Sequence, residues 1–224
     1  MALAAAAASV RIVVCDDHRL LLEALSHALA TRGFTIEAAT SSPAEAVAAV
    51  KLYDPDLLLV DLSFPDGNGL DAAREVIAHH PRTRVVVLTG SDDPVRALEA
   101  ARIGVAGYIR KDQRLAAIVD ALGRAASDEP WIDARLLRRL RSAVSTPPAH
   151  RSRVDELTPQ ERVVLGMLQE GLSTAEIVRR MGIGNSTVRS HIQAILTKLG
   201  VHSRLQAVAM LSHEQPMQRH DGEG

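Results

Sequence analysis

The chain has 224 residues, 46% of them hydrophobic and 2% aromatic, with one cysteine and a formal net charge of −1. That length and apolar content exclude a wholly disordered chain and suffice for one large core or two small ones built from Val, Leu, Ile and Ala, while the scarcity of rings argues against an aromatic-lined pocket. A lone cysteine, Cys15, excludes an intrachain disulfide framework and fits a reducing cytoplasmic setting, and no apolar run reaches membrane-spanning length.

The leader MALAAAAAS carries no basic residue and reads as a loose tail. From Val10 to about Ala126 short β-branched runs, VRIVVC, TIEAA, LLLV, RVVVL and GYI, alternate with amphipathic segments near 20–31, 43–52, 70–79, 93–102 and 114–126. Strands apolar on both faces and interleaved with helices predict a parallel α/β sheet, doubly wound because crossovers are right-handed. A helix-like run near 133–144 follows, whose arginines Arg135, Arg138, Arg139 and Arg141 read as a solvated face in preference to a phosphate contact. The polar, Pro-containing STPPAHRSR then reads as a linker.

Beyond it the strand signal stops and helix starts repeat. Thr158-Pro159-Gln160-Glu161, Ser173-Thr174-Ala175-Glu176 and Ser203-Arg204-Leu205-Gln206 each match a capping box, predicting helices near 159–170, 174–181, 186–199 and 204–213. Charge is segregated accordingly: residues 1–126 hold 13 Lys+Arg against 16 Asp+Glu, whereas residues 176–212 hold 5 against 1. The expected organisation is one α/β domain over 10–126, a helix-containing linker over 127–153 and a small all-α domain over 154–213.

In a doubly wound sheet, ligands collect at the carboxyl ends of the strands. Those ends carry Asp16 and Asp17, Asp61, Thr89 and Lys111. Two adjacent acids repel each other, and a lone pair of them is more often a solvated loop than a metal site. Hard carboxylate oxygens suit Mg²⁺, which relieves that repulsion when Asp16, Asp17 and Asp61 hold it. One oxygen of Asp61 then remains to attack phosphorus and form an aspartyl phosphate, with Lys111 and Thr89 meeting phosphate oxygens.

This set resembles the receiver domains of two-component response regulators: Asp16-Asp17, Asp61 within VDLSFPDGNGLD, Thr89 within VLTGS, and Gly107-Tyr108 followed by Lys111. The resemblance implies a five-stranded flavodoxin-like fold and a sensor histidine kinase as phosphodonor. It also implies a switch in which Thr89 moves toward phosphate and Tyr108 changes rotamer, altering the face of the fourth helix, fifth strand and fifth helix. Phe64 stands where receivers often have Met, but Pro65 and Gly69 preserve the turn chemistry. Ser63 and Ser91 lie two residues beyond Asp61 and Thr89, where side chains flank the path of a hydrolytic water.

In NSTVRSHIQAILTKLG, Val188, Ile192, Ile195, Leu196 and Leu199 form an apolar stripe, while Arg189, Ser190, Gln193 and Thr197 project elsewhere. The Gly-bearing turn in RRMGIGN joins two helices as in a helix-turn-helix, whose second helix reads bases in the major groove of double-stranded DNA. Arg suits guanine and Gln adenine; Lys198, Arg204, Ser186 and Thr187 suit phosphate. The run that contains Leu157 to Val208 resembles the LuxR-type DNA-binding domain over about residues 154–212. The resemblance places Arg189, Ser190 and Gln193 on base-reading positions and Lys198 on a backbone-contact position. Ser190 and Gln193 are uncharged where relatives often carry larger or basic residues, so the operator cannot be copied from a relative.

Receiver plus this domain is the layout of the NarL/FixJ class of response regulators. It implies a homodimer on paired half-sites, with the last helix as a dimer surface and the unphosphorylated receiver either masking the DNA-binding domain or leaving it monomeric. Two other readings are a stand-alone phosphatase with Asp61 as nucleophile, which leaves the C-terminal helices unexplained, and a DNA-binding regulator whose receiver is a phosphorylation-independent interaction module. The intact acids, threonine and lysine favour the phosphorylated switch. Other residues take plainer roles: Cys15 fills a buried strand, His18 caps or faces solvent in preference to touching the acidic edge, His191 packs, Trp131 anchors the connection between halves, and EQPMQRHDGEG is a polar tail.

Overall fold

The computed structural model describes residues 9–65, 67–91, 93–127, 131–132, 153–201 and 203–210. The leader, the helix expected near 133–144, most of the linker and the tail therefore lie outside the described residues.

Five apolar runs form the strands β1 (Arg11–Cys15), β2 (Thr35–Thr40), β3 (Leu57–Val60), β6 (Arg84–Thr89) and β7 (Gly107–Arg110). They pair in parallel in the order β2-β1-β3-β6-β7. Strands that are apolar on both faces need a helical layer on each, and the crossovers supply them. Helices α2 (Pro43–Tyr53), α3 (Gly69–His79) and α4 (Pro94–Ile103) bury Ala46, Val50, Leu70, Val76, Ala97 and Ala101 on one face. Helices α1 (Arg19–Ala30) and α5 (Leu115–Ala126) bury Leu22, Leu25, Leu29, Ile118 and Leu122 on the other. Each large side chain taken from water contributes roughly 1.5–3 kcal/mol, which is why residues such as Leu58 and Val87, wholly inaccessible, define the centre of the sheet.

Local chemistry sets where the helices begin. Ser42, Asn68 and Asp93 accept backbone N–H groups at the starts of α2, α3 and α4, and proline follows at the start of α2 and α4. Gly104 ends α4 at φ 98°, a left-handed conformation that side chains disfavour.

Two features go beyond the five-strand expectation. A two-residue hairpin pairs β4 (Ser63–Phe64) with β5 (Gly67–Asn68), and Trp131–Ile132 forms a sixth parallel strand, β8, against β7. Elements of two residues carry no periodicity to read, so neither announces itself in the sequence.

The C-terminal part is helical: α6 (Pro159–Gln169), α7 (Thr174–Met181), α8 (Asn185–Leu199) and α9 (Arg204–Met210). The first two open on complete capping boxes, Thr158 with Glu161 and Ser173 with Glu176. Gly182 at φ 67° closes α7 and turns the chain into α8 within three residues. The stripe Val188, Ile192, Ile195 and Leu199 is buried against Val164, Leu168 and Ile177 in a core of its own.

The last helix faces both parts: Ala207 and Val208 join the helical core. Leu205 on α9 is 2% exposed and packs into the α4 side of the sheet's core, and the Gln206 side-chain amide donates to the Arg102 carbonyl at 2.7 Å. Among the described residues no helix is long and apolar enough to cross a membrane.

Candidate functional site

Parallel pairing brings the strand ends to one edge, and the backbone ladder continues past the strands to hold them there. Asp61 N–H donates to the Cys15 carbonyl at 3.0 Å and Lys111 N–H to the Thr89 carbonyl at 2.8 Å. Asp16, Asp61 and Thr89 are all buried, and Asp17 sits at the rim. The Lys111 ammonium lies between the acids, 2.6 Å from Asp16 Oδ2 and 2.7 Å from Asp61 Oδ2. The other oxygen of Asp61, Oδ1, accepts the Leu62 N–H at 2.6 Å.

An ammonium placed between two buried carboxylates relieves their mutual repulsion. Burial by itself depresses the Lys111 pKa, but hydrogen bonds and charge from Asp16 and Asp61 outweigh it and hold the ammonium above its ordinary value. Lys111 is therefore a permanent positive charge at neutral pH. Oxygen atoms of Asp16, Asp17 and Asp61 and a ring nitrogen of His18 lie within 4.8 Å of one another. Three converging hard carboxylates fit Mg²⁺. The structure thus assembles Asp16, Asp17, Asp61, Thr89 and Lys111 at one edge.

Three features there go beyond the placing of the strand ends, the first being the alternative that the sequence reading ranked second for His18. His18 Nδ1 lies 2.8 Å from Asp17 Oδ1 and 3.2 Å from Asp16 Oδ1, so this histidine is tied into the acidic edge. Thr89 is wired to α4 by a relay of short-range bonds. Ser91 N–H donates to Thr89 Oγ1, Asp93 N–H to Ser91 Oγ, and Val95 N–H to Asp93 Oδ1, at 3.1, 3.2 and 2.9 Å. Such Ser, Thr and Asp turns are read from three-dimensional geometry, although the residue types at Thr89, Ser91 and Asp93 hint at them. Third, Gly69 lies so close to the acidic loop that a methyl group there would land on the Asp61 backbone carbonyl. Gly69→Ala is expected to destabilise the α/β part by about 1–3 kcal/mol through forced backbone displacement, measured as a shifted denaturant midpoint; an unchanged midpoint would show that the loop gives way freely.

Tyr108 is buried on β7 in the core that α4 and Leu205 also enter. Cys15 is buried beside the cluster and donates to the Ser42 carbonyl at 3.3 Å; burial pushes its thiol up to about 11, so it stays protonated at neutral pH. It is a core filler.

In the helical part, Ser186, Thr187, Arg189, Ser190 and Gln193 are exposed along one side of α8. Arg189 Nε donates to Asn185 Oδ1 at 3.1 Å. The two other cations expected at DNA phosphates are placed differently. Lys198 Nζ lies 2.7 and 3.0 Å from the oxygens of Glu161, and this hydrogen bond with the Thr158 N–H holds the Glu161 carboxyl below the usual carboxylate range. Arg204 is 5% exposed and donates to the Thr174 hydroxyl at 2.8 Å, fastening α9 to α7. Sequence spacing cannot separate a basic residue that faces solvent from one that locks two helices together.

Arg189, Ser190 and Gln193 line a cleft of about 710 Å³ whose opposite wall is made by Ile77, Pro81, Thr83 and Arg84 of the α/β part.

Comparison with known proteins adds independent findings. The model of the response regulator receiver domain matches residues 12–123, and that of the bacterial regulatory proteins of the luxR family matches residues 155–211. The chain is 30% identical over 216 residues to the DNA-binding transcriptional activator DevR/DosR of Mycobacterium tuberculosis, covering 96% of this chain and 99% of that one. It is 29% identical over 206 residues to the nitrate/nitrite response regulator protein NarL of Escherichia coli K12, covering 91% and 95%. A solved structure of the Salmonella typhimurium RcsB response regulator shares the fold, with TM-score 0.57, 20% identity and coverage of 91% and 100%.

Proposed function

The chain belongs to the two-component response regulators that join a receiver domain to a LuxR-type DNA-binding domain, and from that membership we propose that phosphorylation of Asp61 by a sensor histidine kinase controls its binding to DNA. The observation that carries this reading is the buried Asp61 carboxylate beside Lys111 and within a cluster of converging acids.

In the proposed reaction a carboxylate oxygen of Asp61 attacks the phosphorus of a phosphohistidine. The P–N bond breaks and its electron pair returns to the donor imidazole, which takes up a proton. Asp16, Asp17 and Asp61 would hold Mg²⁺, which supplies charge neutralisation to the transferred group when bound. Lys111 keeps a positive charge at the site and follows a phosphoryl oxygen. Its move would leave Asp16 free to help hold that ion. Thr89 donates its hydroxyl to another phosphoryl oxygen, and because Ser91 and Asp93 tie it to α4, that donation pulls on the helix. Tyr108, in the same core as Ala97 and Ala101, follows as α4 moves.

Helix α4 is the element that α9 rests on, and the reading residues of α8 face the cleft behind it. We therefore read the unphosphorylated protein as masked: the receiver stands where DNA must approach. Release opens the cleft so that a duplex reaches Arg189, Ser190 and Gln193 for base contacts, with Ser186 and Thr187 on phosphates at the start of the recognition helix. Lys198, a third exposed beside Glu161, contacts the backbone from the rim. Release also frees α9 as the surface of a homodimer on paired half-sites; Arg204 serves it by holding α9 in place.

The deciding experiment is selection of random-sequence duplexes by the purified protein at fixed salt, with and without Mg²⁺ and acetyl phosphate. Enrichment of a paired motif after treatment supports the switch. Equal enrichment in both conditions favours a phosphorylation-independent regulator. On the selected duplex, Arg189→Ala is expected to lose roughly 1–3 kcal/mol of specific binding, as one good base contact does; unchanged affinity in a binding isotherm removes Arg189 from the reading surface.

A further inference from the structure

One cation near the acidic edge has no role in the chemistry described so far. Arg96, in the first turn of α4, reaches back across the hairpin and donates from Nη1 to the Ser63 hydroxyl at 3.3 Å. Ser63 opens β4 two residues after Asp61, so their Cα atoms are at most about 7 Å apart. Neighbouring cations are already paired with carboxylates: Lys111 with Asp16 and Asp61, Arg110 with Asp112, and Arg74 with Asp71 and Glu99. Among the described residues, Arg96 instead contacts a neutral hydroxyl.

A neutral hydroxyl is a weak partner for a guanidinium, and a phosphoryl oxygen is a strong one. Charge-assisted bonds of this type are roughly twice as strong as neutral ones, and the planar fork of arginine suits phosphate. The helix that carries Arg96 is tied at its start to Thr89 through Ser91 and Asp93, and near its end to α9 through the Arg102 carbonyl. A pull on Arg96 is therefore a pull on the element that holds the DNA-binding part.

We propose that Arg96 is a phosphate-sensing residue of this chain: the guanidinium rests on Ser63 in the unmodified protein and transfers to a phosphoryl oxygen once Asp61 carries phosphate. The transfer draws the start of α4 toward the phosphoryl group, together with Thr89, and loosens its far end from α9. This inference rests on Asp61 as the phosphoacceptor. It adds a second, charged handle on α4 to the neutral one that Thr89 provides.

The test uses the full-length protein, wild type and the variants Arg96→Ala and Arg96→Lys, treated with Mg²⁺ and acetyl phosphate and compared at equal phosphorylation as read by intact mass. Binding to the duplex selected by wild type gives the gain in affinity on phosphorylation. In Arg96→Ala that gain is expected to fall roughly tenfold, which corresponds to about 1.4 kcal/mol, and Arg96→Lys to recover part of it. The phosphorus resonance of the aspartyl phosphate is expected to move in Arg96→Ala, because a cation is removed from its surroundings. A phosphorylated Arg96→Ala protein with the wild-type gain and the wild-type resonance overturns the role of Arg96 alone. A wild-type protein that takes up no phosphate overturns the reading of Asp61 itself, and with it this proposal.

Discussion

Asp61→Asn is expected to take up no phosphate from acetyl phosphate and Mg²⁺, to show no phosphate-dependent gain in DNA binding, and to stay folded. The nucleophile in the proposed reaction is a carboxylate oxygen, and an amide oxygen has neither its charge nor its basicity. The fold survives because the structural duties of Asp61 are separable from the chemical one. Its Oδ1 accepts the Leu62 N–H, which an amide oxygen still does. Its backbone N–H, not its side chain, extends the ladder to Cys15. Lys111 loses one of two anionic partners and keeps Asp16 at 2.6 Å. The substitution also removes a like charge from beside Asp16. Intact mass after phosphodonor treatment measures uptake directly, and a full phosphorylation signal in the variant would show that another residue is the acceptor.

The receiver's acidic edge is legible in the sequence because its logic is one-dimensional. Strands apolar on both faces demand a parallel sheet, and a parallel sheet gathers its carboxyl ends, so the sequence alone brings Asp16, Asp61, Thr89 and Lys111 together. The capping boxes at Thr158 and Ser173 were equally readable, since each needs only a hydroxyl and a carboxylate three residues apart. What stayed hidden depends on packing between distant segments. The sequences around Lys198 and Arg204 do not disclose their tertiary partners: Lys198 lies on Glu161, 37 positions away, and Arg204 on Thr174, 30 positions away. Similarly, Gln206 fits the third position of a capping box on Ser203, yet its side-chain amide reaches 104 residues back to Arg102. Local spacing names the chemistry a residue can perform, and tertiary contacts decide where it is spent. Strand β8 is the reverse case, in which two residues pair at an open sheet edge with no periodic signal.

Leu205→Ala is expected to raise the DNA affinity of the unphosphorylated protein by one to two orders of magnitude and to shrink the further gain that phosphorylation gives. Leu205 belongs by sequence to the last helix of the DNA-binding part, but it is buried in the core beneath α4, among Ala97, Ala101 and Tyr108. Truncating a buried leucine costs about 2–5 kcal/mol when the cavity cannot collapse. Here the loss falls on the contact between the two parts, because the core of the helical part is built from other residues, such as Ile192, Ile195 and Val208. The masked arrangement therefore loses stability while the recognition helix keeps its own support. If masking governs DNA access, 1.4 kcal/mol taken from the closed state is a factor of about ten in the open population, until the open state dominates. Phosphorylation acts on the same equilibrium, so its effect shrinks as the substitution does its work. Binding isotherms on the selected duplex, with and without acetyl phosphate, separate the possibilities. An affinity equal to wild type in the unphosphorylated state, from a variant whose helical part still melts cooperatively, would mean that the contact of α9 with α4 does not gate DNA, and that phosphorylation works through assembly of the dimer alone.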